Sequence, residues 1–164
     1  MEESPKGEIK IQKRTNDDKV IRNHVYMAVA GGLVPVPIVD IASVTAIQIA
    51  MIRELCTIHD ISFSESLGKT IITALTGNSL ARAGASLIKA IPGVGSVVGG
   101  VSMGILSGAS TYALGNVFSL HFQSGGSMQD VNVNNFTDYY KQMFEEGKQV
   151  ARNVRDQIKK ERND

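Results

Sequence analysis

Apolar and polar residues alternate along this chain with helical spacing over most of its length. From Asn16 onward Val20, Ile21, Val25, Ala28 and Val29 share one face with His24, which predicts a helix capped by Asn16 or Asp17. Gly31-Gly32 and Pro35-Val36-Pro37 end it, because proline lacks an amide hydrogen and restricts the residue before it. A second helix is expected from Pro37 to about Ile58, with Asp40 in its first turn, where the helix dipole favours an anion. Ser62-Phe63-Ser64-Glu65 has the spacing of a capping box, so a third helix opens there and stops near Gly77-Asn78. A fourth covers Ser79 to Ala90 and breaks at Pro92-Gly93-Val94-Gly95. Residues 1–15 read as a flexible arm, in which Glu8-Ile9-Lys10-Ile11 alternates like a short strand without a pairing partner. The last helix, from about Asn134, carries Phe136, Tyr140, Met143, Val150, Val154 and Ile158 along one stripe.

The segment after Lys89 departs from this amphipathic pattern. No charged side chain occurs between Lys89 and His121, and the 28 residues from Gly93 to Leu120 suffice to cross a hydrocarbon core of about 30 Å. Gly100, Gly104 and Gly108 recur every four residues, which on a helix leaves a groove where another backbone approaches closely. In water each mid-helix glycine costs about 0.5–1 kcal/mol relative to alanine, so the groove is expected to pack, here against the Pro37–Ile58 helix. The chain is therefore expected to be all-α, a compact bundle of about five to six helices. Its parts are an arm (1–15), a hydrophobic helical domain with a glycine-rich central helix (16–123), and an amphipathic C-terminal helix on the same domain (128–164).

Charge sharpens this picture. Of 17 basic and 16 acidic residues only eight lie between Val25 and Ser127. Helices this poor in charge must pack against one another very completely, or be covered by lipid or a partner. The first apolar stretch is cut by Pro35 and Pro37 into a length short of a span, and its Pro-x-Pro bend fits a re-entrant hairpin and a soluble bundle equally. Membrane insertion or tight membrane association is favoured over a soluble bundle with a buried central helix. A net charge of +1 supplies no field for nucleic acid. The lone Cys56 excludes an internal disulfide and fits a reducing compartment, and the charged N-terminal stretch has no signal-peptide pattern.

Candidate chemistry is sparse. Gly93 to Gly100 lacks the Lys-Ser/Thr of a phosphate loop and follows no strand. Cys56 and His59 are three apart, but His24 and His121 lie far off in the sequence, so no metal site is expected. No paired carboxylates occupy the apolar region, and neither catalytic residues nor a cofactor are expected. Asp40 and Gln48 are polar residues inside the first apolar stretch; a dipole-stabilised Asp and a Gln bonded between helices are the favoured readings over a functional one.

Pro35-Val36-Pro37-Ile38-Val39-Asp40, then Gln48 and Met51-Ile52, then Ile91-Pro92-Gly93-Val94-Gly95 and Thr111-Tyr112-Ala113-Leu114-Gly115, resemble the YcjF-like hydrophobic domain of bacteria. The resemblance covers roughly residues 20–122, and Tyr139-Tyr140 with Phe144-Glu145-Glu146 extends it. One departure is His59-Asp60, where that family often has Tyr-Gly at a helix end. The resemblance implies association with an Era-like or dynamin-like GTPase supplied by another protein, and a place on the cytoplasmic side of a bacterial inner membrane, with a cytoplasmic location as the alternative. The function expected is thus a non-enzymatic, membrane-associated module that anchors or scaffolds a partner. A soluble oligomer-forming adaptor and a pore-forming or membrane-remodelling protein are the alternatives. Expected partners are membrane lipid, a GTPase and further copies of the chain; nucleic acid is not among them.

Overall fold

The computed structural model describes residues 5–33, 41–87 and 103–164, and side chains over 12–33, 43–77 and 103–164. Within these residues the chain is a compact bundle of five helices without a strand: α1 (Pro5–Leu33), α2 (Ile41–Ile58), α3 (Glu65–Leu87), α4 (Met103–Gln123) and α5 (Val133–Glu161). Of the residues singled out above, Pro35, Pro37, Asp40, Pro92, Gly93, Gly95 and Gly100 lie outside the described ones.

Helix α1 starts at Pro5, a residue suited to a first turn, and not at Asn16. Lys, Glu, Gln and Arg dominate its opening, and these straight-chain residues lose little rotamer freedom in a helix. The expected caps Asn16 and Asp17 therefore sit inside the helix. Val20, Ile21, Val25, Ala28 and Val29 are buried as one stripe, as the spacing predicts.

Two helices end in the same way. After α2, Asp60 takes a left-handed φ of 57°, its amide bonds to the Thr57 carbonyl and the Ile61 amide to the Cys56 carbonyl. After α4, Gly125 has a φ of 88°, with the Gly125 amide on Phe122 and the Gly126 amide on His121. Both satisfy the last carbonyls of the helix by a Schellman cap. An aspartate thus occupies a position that glycine adopts more easily.

Ser64 caps α3, its hydroxyl accepting from the Leu67 amide at 3.4 Å, so the cap is two residues later than the Ser62–Glu65 box predicts. The helix then runs through Gly77-Asn78 to Leu87, and the expected break and separate fourth helix are not formed. The cost of one glycine is small beside the burial of Ile71, Ile72 and Leu75 in the turns before it. Gly77 is exposed and a β-carbon there would meet nothing within 4 Å. Gly77→Ala is accordingly expected to raise stability by about 0.5–1 kcal/mol in urea unfolding, through helix propensity alone.

Thirteen of the 21 residues of α4 are buried, which makes it the central helix. It runs antiparallel to α1, since Ser119 meets Asp17 at one end and Gly104 meets Gly32 at the other. Helix α2 runs parallel to α4, with His59 at Asp17 and Gln48 at Thr111. Helix α3 returns antiparallel to α2, placing Glu65 by Arg53 and Gly68 by Ile49. Helix α5, capped by Asn132 on the Asn134 amide, lies antiparallel to α4, from Phe136 at His121 to Ala151 at Gly108. One pole therefore carries the α2–α3 and α4–α5 turns. The other carries the last residues of α1 and α3 and the first of α2 and α4. Among the described residues no helix is long and apolar enough to cross a membrane.

Candidate functional site

The first turns of α1 read as a charged surface, yet Asp17 is fully buried. It falls one turn before Ile21 and two before His24, so it belongs to the stripe that faces the bundle. Its Oδ2 accepts from His59 Nε2 at 2.9 Å, Ser119 Oγ at 2.6 Å and Gln123 Nε2 at 3.0 Å, and its Oδ1 from His59 Nε2 at 3.0 Å. Gln123 Nε2 also donates to Ser119 Oγ at 2.7 Å. Removing a carboxylate from water is expensive unless charged or polar donors replace the lost hydration, and four donor contacts here do so. The His59 side chain is only 5% exposed and packs on Phe122, ring centres 5.9 Å apart. Its Nε2 must carry the proton it donates. This cluster joins α1, the end of α2 and the end of α4.

A second polar thread crosses the middle of the bundle. The buried Gln48 donates from Nε2 to Ser110 Oγ at 3.2 Å and to Thr111 Oγ1 at 3.3 Å, and Ser110 Oγ pairs with Tyr140 OH at 3.0 Å. Burial pushes the Tyr140 hydroxyl up to about 12, against the opposing pull of its Ser110 bond, so it stays protonated and available as a donor. The thread ties α2, α4 and α5 in register, and Gln48 bonds between helices as the sequence suggests. His24 adds a local bond, Nδ1 donating to the Val20 carbonyl at 2.8 Å.

Beyond the Gln48 thread, toward the first residues of α4, runs a close-packed seam. A β-carbon at Gly104 would lie 2.9 Å from the Val29 carbonyl oxygen, and one at Gly32 would collide with the Gly104 backbone. At Gly108 it would sit 2.5 Å from Val29 Cγ2 and 2.9 Å from Ala151 Cβ. The glycine face of α4 thus packs on α1 and α5, and not on the α2 helix expected from the sequence. On α5, Gly147 approaches the Ala109 carbonyl in the same manner, 2.9 Å from a β-carbon. Of the remaining family-motif positions, Thr111 is buried, Tyr112 is half-buried, and Gly115 faces Ile21 and Met51.

The arrangement brings together residues with catalytic names but without catalytic geometry. Ser119 donates its hydroxyl to Asp17 and not to a histidine, and His59 spends Nε2 on the same carboxylate. Activation of a nucleophile requires the base to take the hydroxyl proton. Cys56 is buried, and burial pushes its thiol up to about 11, far from the thiolate a nucleophile or metal ligand needs. No group of three metal-ligating side chains occurs among the described residues. These buried residues tie α1, α2, α4 and α5 to one another in register.

Sequence reasoning missed Asp17, Ser119, Gln123, Gly32 and Gly147. The signal for Asp17 was its place on the apolar stripe of α1. Ser119 and Gln123 are ordinary polar residues near a helix end, and nothing local marks them.

Magnetosome membrane protein 22 of Magnetospirillum gryphiswaldense is 41% identical over 143 residues, an overlap of 84% of this chain and 73% of that protein. No solved structure matches the chain. The family match spans residues 2–149, most of the chain, and the protein belongs to the domain of unknown function DUF697.

Proposed function

We propose that this protein is a non-enzymatic, membrane-associated helical module that anchors or scaffolds a partner at the membrane surface. The observation that carries the reading is topological. The uncharged sequence around Pro35 and Pro37, and that from Ile91 to Ser102, are both tethered at the same pole of the bundle. The flanking residues Leu33, Ile41, Leu87 and Met103 all belong to that pole. Met103 there is 64% exposed, the most exposed large apolar side chain among the described residues. An element that docks by one apolar end needs no spanning helix, and α4, the longest uncharged helix, is enclosed by α1 and α5. The name of the Magnetospirillum relative, a membrane protein, supports the same assignment.

The resemblance to the YcjF-like domain supports a GTPase as the partner, with any nucleotide switch residing in that protein and this chain on the cytoplasmic side of the inner membrane. A soluble adaptor is the competing reading, favoured by the enclosure of α4, since a bundle that buries its most apolar helix can stand in water. Fractionation of cells expressing the chain separates the two. The protein is expected in the membrane pellet at low ionic strength; complete recovery in the supernatant without detergent would overturn the membrane reading.

A further inference from the structure

We infer that the face around Tyr112, where α1 and α5 flank α4, docks a second copy of this chain, with α1 of each copy on α5 of the other. Tyr112, Asn116 and Leu120 follow one another at four-residue spacing and so share an edge of α4. That edge reaches solvent although the helix is otherwise central: Tyr112 and Asn116 are half-buried and Leu120 is 43% exposed. On α1, Arg14, Asp18 and Arg22 have the same spacing; on α5, Tyr139, Gln142 and Glu146 share an edge. These two edges lie on either side of Tyr112. A β-carbon at Gly147 would sit 3.1 Å from Tyr112 Cβ, and Gly115 faces Ile21. Burial and then the Glu146 carboxylate push the Tyr112 hydroxyl up, Asp18 adds to that rise, and Arg22 opposes it.

The alternative is an ordinary solvated edge, and the pairing of the charges speaks against it. Lys141 pairs with Asp138 and Lys148 with Glu145 along α5. Arg14, Asp18, Arg22 and Glu146 are exposed and make no ion pair among the described residues. Tyrosine and arginine around an exposed leucine are also the residue types enriched where proteins meet. A second copy fits because the two edges are complementary at matching levels. Helices α1 and α5 run parallel, each being antiparallel to α4. With Ile21 at Gly115 and Gly147 at Tyr112, Arg22 and Glu146 stand within about one turn of α4 from each other. A two-fold axis along the bundle, between α1 and α5, turns α1 of one copy onto α5 of the other without changing level. Arg22 then faces Glu146 of the second copy, and the symmetry makes that pair twice. Asp18, next to Asp17 at Ser119, comes level with the donor hydroxyl of Tyr139, one turn on from Phe136 at His121. Leu120, on the edge between them, meets its own counterpart. An axis across the helices would lay α1 on α1 and α5 on α5, without this opposite-charge match. The axis along the bundle also leaves the exposed Met103 of both copies at the same end, as two copies on one membrane require.

Sedimentation equilibrium of the full chain in a density-matched nonionic detergent is expected to show monomer and dimer, with the dimer weakening as salt rises. Arg22→Glu and Glu146→Arg should each raise the dissociation constant of the dimer about tenfold, since each sets two pairs of like charges against one another. The variant carrying both substitutions should recover most of that loss, because the swapped pairs are again opposite in sign. Leu120→Cys gives an independent reading that needs no change in charge. Mild oxidation with diamide should link two copies through it, while Lys19→Cys, on the exposed outer side of α1, stays unlinked; the native Cys56 is buried. A chain that sediments as monomer throughout would overturn the inference. So would a dimer that neither single substitution weakens, a double variant that recovers nothing, or Leu120→Cys chains that link no faster than Lys19→Cys chains. A dimer with these properties in a protein recovered wholly in the supernatant would support the shared face and remove only the membrane reading.

Discussion

Gly104→Leu is expected to lower stability by about 3–5 kcal/mol, enough to unfold most small domains at moderate temperature. The contact at fault is backbone on backbone. A β-carbon at residue 104 would sit 2.9 Å from the Val29 carbonyl oxygen and 3.5 Å from the Gly32 carbonyl carbon. No rotamer change relieves it, so α1 must move away from α4 along their whole interface. Overpacking of a well-packed core ordinarily costs about 1–3 kcal/mol because side chains yield, and here the nearest neighbours are main chain. Alanine at the same position is the sharper probe. On a free helix Gly→Ala stabilises by about 1 kcal/mol, whereas at Gly104 the sign should reverse. Urea and thermal unfolding followed by far-ultraviolet circular dichroism decide it, with Gly77→Ala as the exposed control. An unchanged melting temperature for Gly104→Leu would mean that α1 and α4 are not seated as described.

Asp17→Ala should cost about 3–5 kcal/mol, the range for breaking a buried ionic contact by removing one partner. His59 and Ser119 would keep their donors and lose their acceptor in a region closed to water, while Gln123 would keep only its bond to Ser119 Oγ. The loss then belongs to the stranded donors more than to the missing charge. Replacing Asp17 and His59 together by leucine should accordingly restore a good part of the stability, because the His59 donor goes with its acceptor and Gln123 keeps its bond to Ser119 Oγ. A double variant at least as unstable as Asp17→Ala would show that the cluster contributes by a route other than charge satisfaction. In either variant the membrane affinity of the opposite pole should be little affected, since sites this far apart with no shared partner behave independently.

His59 and Asp60 each take a partner on α1. His59 is the donor to Asp17, and Asp60 bears the left-handed turn that ends α2 while its carboxylate lies 3.5 Å from Lys13 Nζ. Both residues thus join α1 to the α2–α3 turn.

The sequence by itself determined that the chain is helical, where α2 and α5 run, and that the charge-poor middle must be buried or covered. Those properties are local. The spacing of Ile49, Met51, Ile52, Leu55 and Cys56 declares a face, and the stripe of α5 through Tyr140 and Met143 does the same, whichever partner the helix meets. Gln48 as an interhelical bond was also legible, because a lone amide among apolar residues needs a partner. Tertiary structure alone decided the rest. The start of α1 at Pro5 carries no apolar signal, and the continuity of α3 through Gly77 depends on packing that offsets a local penalty of about 1 kcal/mol. The glycine face of α4 announced close packing, but a smooth groove does not name its partner. The partner became α1 because α1 offers its own glycine, Gly32, at the matching height. Asp17 looked like a cap since its acceptor role is local in sequence terms. Its three partners come from residues 59, 119 and 123, and only the folded chain brings those donors to one carboxylate.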